Sequence, residues 1–304
     1  MSELRPSSPV RRPETARPRA AGAREHDEAS TPPAGIAPPP SVEPVTLDEL
    51  VRIQRHMASL PLHSGATVDQ DDALGVLMVR RPGAGAALNY AAMPRWDAST
   101  WRSSLARVTE TMGRDGSWPS MMLSDRLDRP PGLDLAMGSM GWRRLLGETV
   151  LWVGHASVVP HLDPRLRFEA VQPRAVAEHE TLERDIFGVD PNRAGARRAE
   201  LSDALVAGGL RAFVVRLDDE PIAVARLSQG EGVAGIYALG VAHAWRGKGY
   251  GTLLATIATR AGMATGNRVV WLSVEDGNAP ARHVYDKLGF QPAFSWSRWL
   301  APAD

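Results

Sequence analysis

The sequence predicts an α/β (α+β) fold in which strands and helices alternate, with two similar units along the chain. The apolar run Ala234–Val241 has the length of a buried strand, and an apolar-periodic helix follows at about Thr252–Ala264. A turn rich in glycine lies between them. The pairs Gly141-Trp142 and Gly289-Phe290 both stand shortly before a strand-like segment, so the end of the first half is repeated near the end of the chain.

Composition limits the classes of protein to consider. A length of 304 residues suggests about two domains, and 43% hydrophobic residues are enough for a substantial core. The formal net charge is zero, which gives no reason to expect nucleic acid or an anionic membrane surface as a partner. There is no cysteine, which excludes disulfides, thiolate zinc sites and a cysteine nucleophile. No apolar run approaches the roughly 18 residues of a membrane span, so we expect a cytoplasmic protein.

The first half begins with a tail and continues as one predicted unit at 45–156. Residues 1–44 are rich in Pro, Ala and Arg, and we expect them to be disordered. Thr46 and Glu49 form a capping box that predicts a short helix containing Ile53. The other predicted elements are strands at Leu74–Val79, Ala86–Ala92, Pro119–Leu123 and Thr149–Val153 and a helix at Ser99–Met112.

The second half is predicted to be a unit at 166–304 joined by a linker at 157–165, which contains Pro160 and Pro164. Its last strand, Phe294–Leu300, is expected to close the sheet. The other predicted elements are strands at Leu166–Val171, Arg211–Leu217, Ile222–Leu227 and Arg268–Val274 and helices at Arg174–Ile186, Arg193–Val206 and Pro280–Leu288.

The turn after Val241 carries the main functional signal. Three alternate glycines, Gly247, Gly249 and Gly251, stand between the strand and the helix, where free backbone N–H groups and the positive end of the helix dipole favour a phosphate. A dinucleotide fingerprint would need a sixth-position glycine where Thr252 stands, and the P-loop lysine is also missing. The alternative is a glycine-rich turn with no ligand.

Two motifs in order resemble the GNAT superfamily of N-acetyltransferases. Arg246, Gly249 and Gly251 form an R-x-x-G-x-G pattern similar to the acyl-CoA pyrophosphate loop of that family. Downstream, Asn278, Ala281, Tyr285 and Gly289-Phe290 resemble its N-x-x-A-x-x-x-Y-x-x-x-G-F element, in which the asparagine caps a helix. The resemblance covers roughly residues 166 to 300.

The resemblance implies a fold and a reaction. The fold is a mixed, mostly antiparallel sheet flanked by helices, here as two GNAT-like units. The reaction is direct transfer of an acetyl group from acetyl-CoA, as co-substrate, to a primary amine of a small molecule or peptide. In the family, N–H groups near Val241 bind the pantetheine and the thioester oxygen, and Tyr285 protonates the thiolate. The expected cofactor-binding residues are Val241, Arg246, Gly247, Lys248, Gly249, Tyr250, Gly251, Thr252 and Asn278.

The first unit departs from the pattern. Pro94-Arg95-Trp96-Asp97 stands where the glycine turn would be, so this degenerate unit should not hold a pyrophosphate. We expect it to be structural or to shape the acceptor pocket.

Several assignments have alternatives. Tyr285 could only pack its ring under the sheet, while Arg246 and Lys248 could be solvated turn residues, and His243 could relay a proton or be structural. A non-catalytic acyl-CoA-binding or protein-interaction module is the alternative function. The sequence leaves the acceptor, the acyl-chain preference and the oligomeric state open. The histidines lack metal-ligand spacing, so no metal is expected. No general base is identified among Glu180, Glu183 and Glu231.

Overall fold

A computed structural model describes residues 43–157 and 162–303. The predicted disordered tail, apart from its last two residues, and part of the predicted linker lie outside the described residues. The described chain contains one sheet of eleven strands in the order β1-β2-β3-β4-β11-β5-β10-β9-β8-β7-β6. The strands are β1 Thr67–Asp71, β2 Val76–Arg80, β3 Tyr90–Ala92, β4 Ser120–Ser124, β5 Arg143–Val153, β6 Leu166–Ala170, β7 Leu210–Leu217, β8 Glu220–Gly230, β9 Val233–Val241, β10 Val269–Glu275 and β11 Gln291–Leu300.

Helices cover both faces of this sheet. One face, here the α1 face, carries α1, α4 and α5, and the other, the α6 face, carries α2, α3, α6 and α7. Described neighbours pair antiparallel except β3 with β4 and β9 with β10, which confirms the mixed, mostly antiparallel sheet. The helices are α1 Leu47–Ser59, α2 Trp101–Arg114, α3 Leu133–Ser139, α4 Val176–Phe187, α5 Ala194–Ala207, α6 Tyr250–Met263 and α7 Ala279–Lys287.

The capping box predicted at the start of α1 is present. The Thr46 hydroxyl accepts a hydrogen bond from the Glu49 N–H at 3.2 Å, and the Glu49 carboxylate accepts from the Thr46 N–H at 2.8 Å. Two of the backbone donors at the helix start are thereby paired. The same carboxylate also pairs with Arg268 at the start of β10, so the cap ties α1 to the sheet. The helix runs on to Ser59 and is longer than the short helix predicted.

The last strand contains the predicted residues but does not have the predicted position in the sheet. β11 does not close the sheet at an edge, because it lies between β4 and β5 in the middle. Its side chains are apolar on both faces: Trp296 packs on the α1 face and Trp299 on the α6 face. A strand that is buried on both faces needs a neighbour on each edge. That requirement explains the central position.

The two units therefore exchange their final strands. β5, the last strand of the first unit, pairs with β10 of the second, and β11 pairs with β4 of the first. β5 and β11 also pair antiparallel with each other, so that Arg143 lies opposite Leu300 and Gln291 lies opposite Trp152. Each strand thus begins opposite the end of the other, as expected for repeated units related by an approximate two-fold axis.

Two elements were not predicted. β1 is short and mostly exposed, so it has no apolar run to reveal it, and its pairing with β2 defines it as a strand. α3 has only seven residues and precedes Gly141 as α7 precedes Gly289, with both glycines at positive φ, +85° and +82°. The equivalence of α3 and α7 supports the duplication of the unit. Within the described chain, no helix is long and apolar enough to cross a membrane.

Candidate active site

The glycine turn opens directly onto the start of α6. Gly247 and Gly249 have φ of +75° and +88°, a backbone region that only glycine enters at little cost. A Cβ at either position would meet no atom within 4 Å, and no described side chain caps the helix N-terminus, which begins after Gly249. Gly251 lies inside the first helical turn, because the helix begins two residues earlier than predicted, and its added Cβ would meet Val241 at 3.9 Å. The backbone N–H groups here are open, as a diphosphate site at a helix N-terminus requires.

Next to this turn, β9 and β10 separate. Their parallel pairing runs from Val233 with Val269 to Ile236 with Leu272, although β9 continues to Val241. β9 also bulges against β8 where Ala238 has a positive φ of +46°. Bulges bend a strand and strengthen its twist. The result is a gap between the ends of β9 and β10.

The N–H of Val241 points toward that gap. The next residue, Ala242, donates its N–H to the carbonyl of Ile222 on the β8 side at 2.8 Å. Successive residues of an antiparallel strand point their N–H groups to opposite sides. The Val241 N–H is therefore directed away from β8 and toward the gap. The gap is where the family places the thioester oxygen.

Arg246 joins the turn to its surroundings. Its Nε donates to the Val241 carbonyl at 3.0 Å, and its Nη2 donates to the Ile186 carbonyl near the end of α4 at 3.3 Å. Both contacts are to protein groups, so in this structure the guanidinium positions the turn. The predicted phosphate contact of Arg246 stays a prediction.

The other side chains of the turn pack on each other. The Lys248 ammonium lies 4.3 Å from the centre of the Trp245 ring, a cation–π contact, and Tyr250 meets the same ring edge-on at 6.1 Å. The Trp245 indole N–H donates to Glu220 at 2.9 Å. His243 is exposed in the short 3-10 turn before them.

Tyr285 lies on α7 with its ring buried against Phe290, the two ring centres 5.7 Å apart. Burial raises the pKa of the Tyr285 phenol to about 12, so it stays protonated at neutral pH. Its hydroxyl makes no hydrogen bond with any described residue and is available to a ligand. α7 begins after Asn278, whose Oδ1 accepts from the Ala281 N–H at 3.2 Å, so the predicted cap is present.

Of the carboxylates considered as general bases, Glu180 and Glu183 pair with arginines, and Glu231 lies at the other end of β9 from the glycine turn. Glu183 is buried and pairs with Arg197 and Arg226, and buried Glu180 accepts from Arg198 at 3.0 Å. Both hold α4 to α5, and Glu183 also holds it to β8. Glu231 is exposed in the turn before β9, at the opposite end of that strand from Val241.

One carboxylate close to the separation of β9 and β10 was not among the predicted site residues. Glu148 on β5 accepts a hydrogen bond from the Ser273 hydroxyl on β10, close to the point where β9 and β10 separate. Nothing in the sequence links Glu148 to this site, because its strand belongs to the other unit and reaches β10 only through the strand exchange.

In the first unit, Arg95 fills the place equivalent to the glycine turn. Its guanidinium donates to the Leu127 carbonyl at 2.9 Å and to Gln54 at 3.2 Å, and it lies 3.5 Å from the buried Asp128. The Arg95 side chain, in the segment that corresponds to the glycine turn, is thus engaged by protein groups. No group of three or more His, Asp or Glu side chains in the described chain is placed to hold a metal ion.

Comparison with known proteins identifies the second unit. Residues 176–290 match the model of the Acetyltransferase (GNAT) family, which confirms the resemblance found in the motifs. This part of the chain is a GNAT-family acetyltransferase domain. A stretch of 60 residues is 45% identical to the mycothiol acetyltransferase of Corynebacterium glutamicum, covering 20% of this chain and 20% of that protein. The match therefore spans only about a fifth of the relative's length.

Solved structures show the same fold over most of the chain. A GCN5-related N-acetyltransferase from Kribbella flavida superposes with a TM-score of 0.64 at 17% identity, covering 85% of this chain and 98% of that one. A tandem GNAT protein from the clavulanic acid biosynthesis pathway superposes with a TM-score of 0.57 at 20% identity, covering 75% and 79%. The described chain thus has the architecture of two GNAT-like units.

Proposed function

We propose that this protein is an acetyl-CoA-dependent N-acetyltransferase that transfers the acetyl group directly to a primary amine of a small molecule or peptide. The observation that carries the proposal is the open glycine turn of Gly247 and Gly249 at the start of α6, beside the gap between β9 and β10. A cytoplasmic location is part of the proposal, because acetyl-CoA is supplied there.

The donor would be held mainly by backbone. The N–H groups that follow Gly247 and Gly249 and the N-terminal dipole of α6 bind the pyrophosphate of acetyl-CoA. Lys248, Tyr250 and Thr252 line the same turn, and Asn278 stands at the start of α7 beside the pantetheine path. The two arms of the gap then receive the pantetheine as a short strand would be received at a sheet edge.

The chemistry follows from what the gap exposes. The Val241 N–H, directed into it, stabilises the oxyanion that forms when the amine attacks the thioester carbonyl. Tyr285 supplies a proton to the departing thiolate. No acyl-enzyme intermediate is needed, and the chain has no cysteine to form a thioester with it.

In this proposal the second unit, 166–304, holds the donor, residues 157–165 are the linker, and the first unit, 45–156, serves structure and the acceptor side. The side-chain contacts of Arg95 support the view that the first unit binds no pyrophosphate.

The test replaces one turn glycine and uses a matched control. Gly249→Val should abolish binding of coenzyme A in isothermal titration, because the side chain enters the space of the diphosphate. Gly266→Val is the control, since Gly266 follows the other end of α6 with nearly the same φ, +87°, and equally open surroundings. It carries the same backbone strain and should bind normally. Equal affinity in both variants would refute the proposed donor site.

The alternative is a non-catalytic acyl-CoA-binding or protein-interaction module, favoured by the engagement of Glu180 and Glu183 in ion pairs. A panel of amines, amino acids and peptides, assayed for release of free coenzyme A, separates the two. Binding of acetyl-CoA without release by any acceptor favours the module. Release that falls steeply in Tyr285→Phe, with coenzyme A affinity retained, favours the enzyme.

A further inference from the structure

Glu148 and Tyr285 lie on opposite faces of the sheet. The side chains of β5 alternate, with Val150 on the α1 face and Leu151 on the α6 face, which places Glu148 on the α1 face. Tyr285 packs in the cluster of the α6 face. The sheet therefore carries a carboxylate on one face, across β10 from the gap, and a phenol on the other face.

Ser273 holds the carboxylate beside the gap. It is the first residue of β10 beyond Leu272, where the pairing with β9 ends, and its hydroxyl donates to Glu148. Glu148 itself lies opposite Glu275 in the antiparallel pairing of β5 with β10. Glu275 is exposed at the end of its strand, whereas Glu148 is partly buried between β10 and β11.

The surroundings of Glu148 favour its uptake of a proton. Burial raises the pKa of its carboxyl, and the negative charges of Glu275 and Asp276 raise it further, while the Ser273 hydroxyl lowers it. The largely buried guanidinium of Arg298 on β11 interacts electrostatically with the Glu148 carboxylate. A carboxylate with a raised pKa takes up a proton more readily than an exposed one.

We propose that Glu148 is the general base of the reaction, contributed by the first unit to the site of the second. The inference rests on the proposed function. The acceptor amine arrives from the α1 face, its nitrogen bonds to the thioester carbon, and its proton passes to the Glu148 carboxylate. The carbon–sulfur bond breaks toward the α6 face, where the Tyr285 hydroxyl protonates the thiolate and then regains its proton from solvent. The products are an amide and free coenzyme A.

The position and charge of Glu148 also indicate the class of acceptor. Glu148 lies on the α1 face, whereas the α6 face carries α7 and its apolar cluster, so the acceptor is placed on the α1 face. A carboxylate there attracts a basic amino group and accepts the one proton that the neutral nitrogen loses as it bonds to the thioester carbon, which favours primary amines over alcohols as acceptors.

The test compares Glu148→Gln with Glu275→Gln, its exposed cross-strand neighbour. With any amine that the wild type acetylates, Glu148→Gln should lower kcat at least about 100-fold at pH 7, the usual scale of general-base catalysis. Coenzyme A affinity should be unchanged. The deficit should shrink at pH 9.5, where more of the amine is already neutral. Glu275→Gln should match the wild type at pH 7 and above, and only the acidic limb of its pH–rate profile should move to lower pH, because the charge of Glu275 raises the pKa of Glu148.

A second variant guards against misfolding. Ser273→Ala removes only the hydroxyl that positions Glu148 and should move the acidic limb of the pH–rate profile without changing coenzyme A affinity. An active wild type with an equally active Glu148→Gln overturns the role of Glu148 and leaves the proposed function intact. If no amine in the panel causes the wild type to release coenzyme A, both the role of Glu148 and the proposed function are overturned.

Discussion

The Nε of Arg246 donates to the carbonyl oxygen of Val241 at 3.0 Å, and this bond ties the glycine turn back to the last residue of β9. The N–H of the same Val241 is directed into the gap between β9 and β10, as the Ala242 bond to Ile222 requires. One side chain thus fixes the turn proposed to hold the diphosphate relative to the N–H proposed to hold the thioester oxygen.

Arg246→Ala should lower coenzyme A affinity about tenfold, because a charge-assisted hydrogen bond contributes roughly 1.5–3 kcal/mol and its loss frees the turn. Isothermal titration measures it, with Arg260→Ala as the control on the exposed last turn of the same helix. An unchanged affinity in Arg246→Ala would show that the turn is held without this contact.

The chain should bind one coenzyme A, in the second unit only. In the first unit the segment that corresponds to the glycine turn has no glycine, and its Arg95 is engaged by the Leu127 carbonyl and the buried Asp128. Arg95→Ala should lower the free energy of unfolding by about 1–3 kcal/mol, since it leaves buried polar groups without their partner. Titration should give one site in both proteins, and a second site in either would contradict the reading of Arg95 as a replacement for the turn.

Local signals were enough to predict most elements and the donor turn. The capping box at Thr46 and the glycines of the turn act through neighbouring backbone, so a short window of sequence contains the whole cause. The same holds for Asn278, whose cap involves only Ala281. These features were found where the sequence placed them.

What the sequence did not reveal depends on contacts distant along the chain. The central position of β11 follows from pairing with β4 and β5, which periodicity does not encode. The proximity of Glu148 and Ser273 follows from the same exchange. Glu180 and Glu183 were considered as bases because a helix position alone does not show that arginines from α5 and β8 pair with them.

Stability should fall as the pH drops from about 6.5 to about 4. The Trp271 indole donates to His56 Nδ1 at 3.1 Å, so that nitrogen cannot carry a proton in the folded state. Burial, with a smaller effect of His63, lowers the pKa of His56 to about 4. Because the unfolded chain takes up the proton first, the stabilisation is present above pH 6.5 and is lost toward pH 4, about 3 kcal/mol in all.

Urea unfolding at pH 7.5 and pH 4.5 tests this dependence. His56→Leu should be less stable than the wild type at pH 7.5 but should lose less stability on acidification. Burial also lowers the pKa of His179, to about 3, so part of the slope will remain in that variant. His283→Gln, at an exposed position, is the control and should keep the wild-type slope. Identical slopes in all three proteins would contradict the assignment to His56.

The second unit should not bind coenzyme A without β5. In a fragment of residues 162–303, β10 loses its antiparallel neighbour, and β11 loses the strands on both of its edges. Trp152, which packs beside Trp271, is lost as well.

A fragment of residues 143–303 keeps the β10-β5-β11 arrangement and is the matched control. Circular dichroism and isothermal titration should show a folded, coenzyme A-binding protein for the longer fragment only, because unpaired backbone and exposed apolar surface disfavour the shorter one. Equal binding by both fragments would mean that the exchanged strand is dispensable for the donor site.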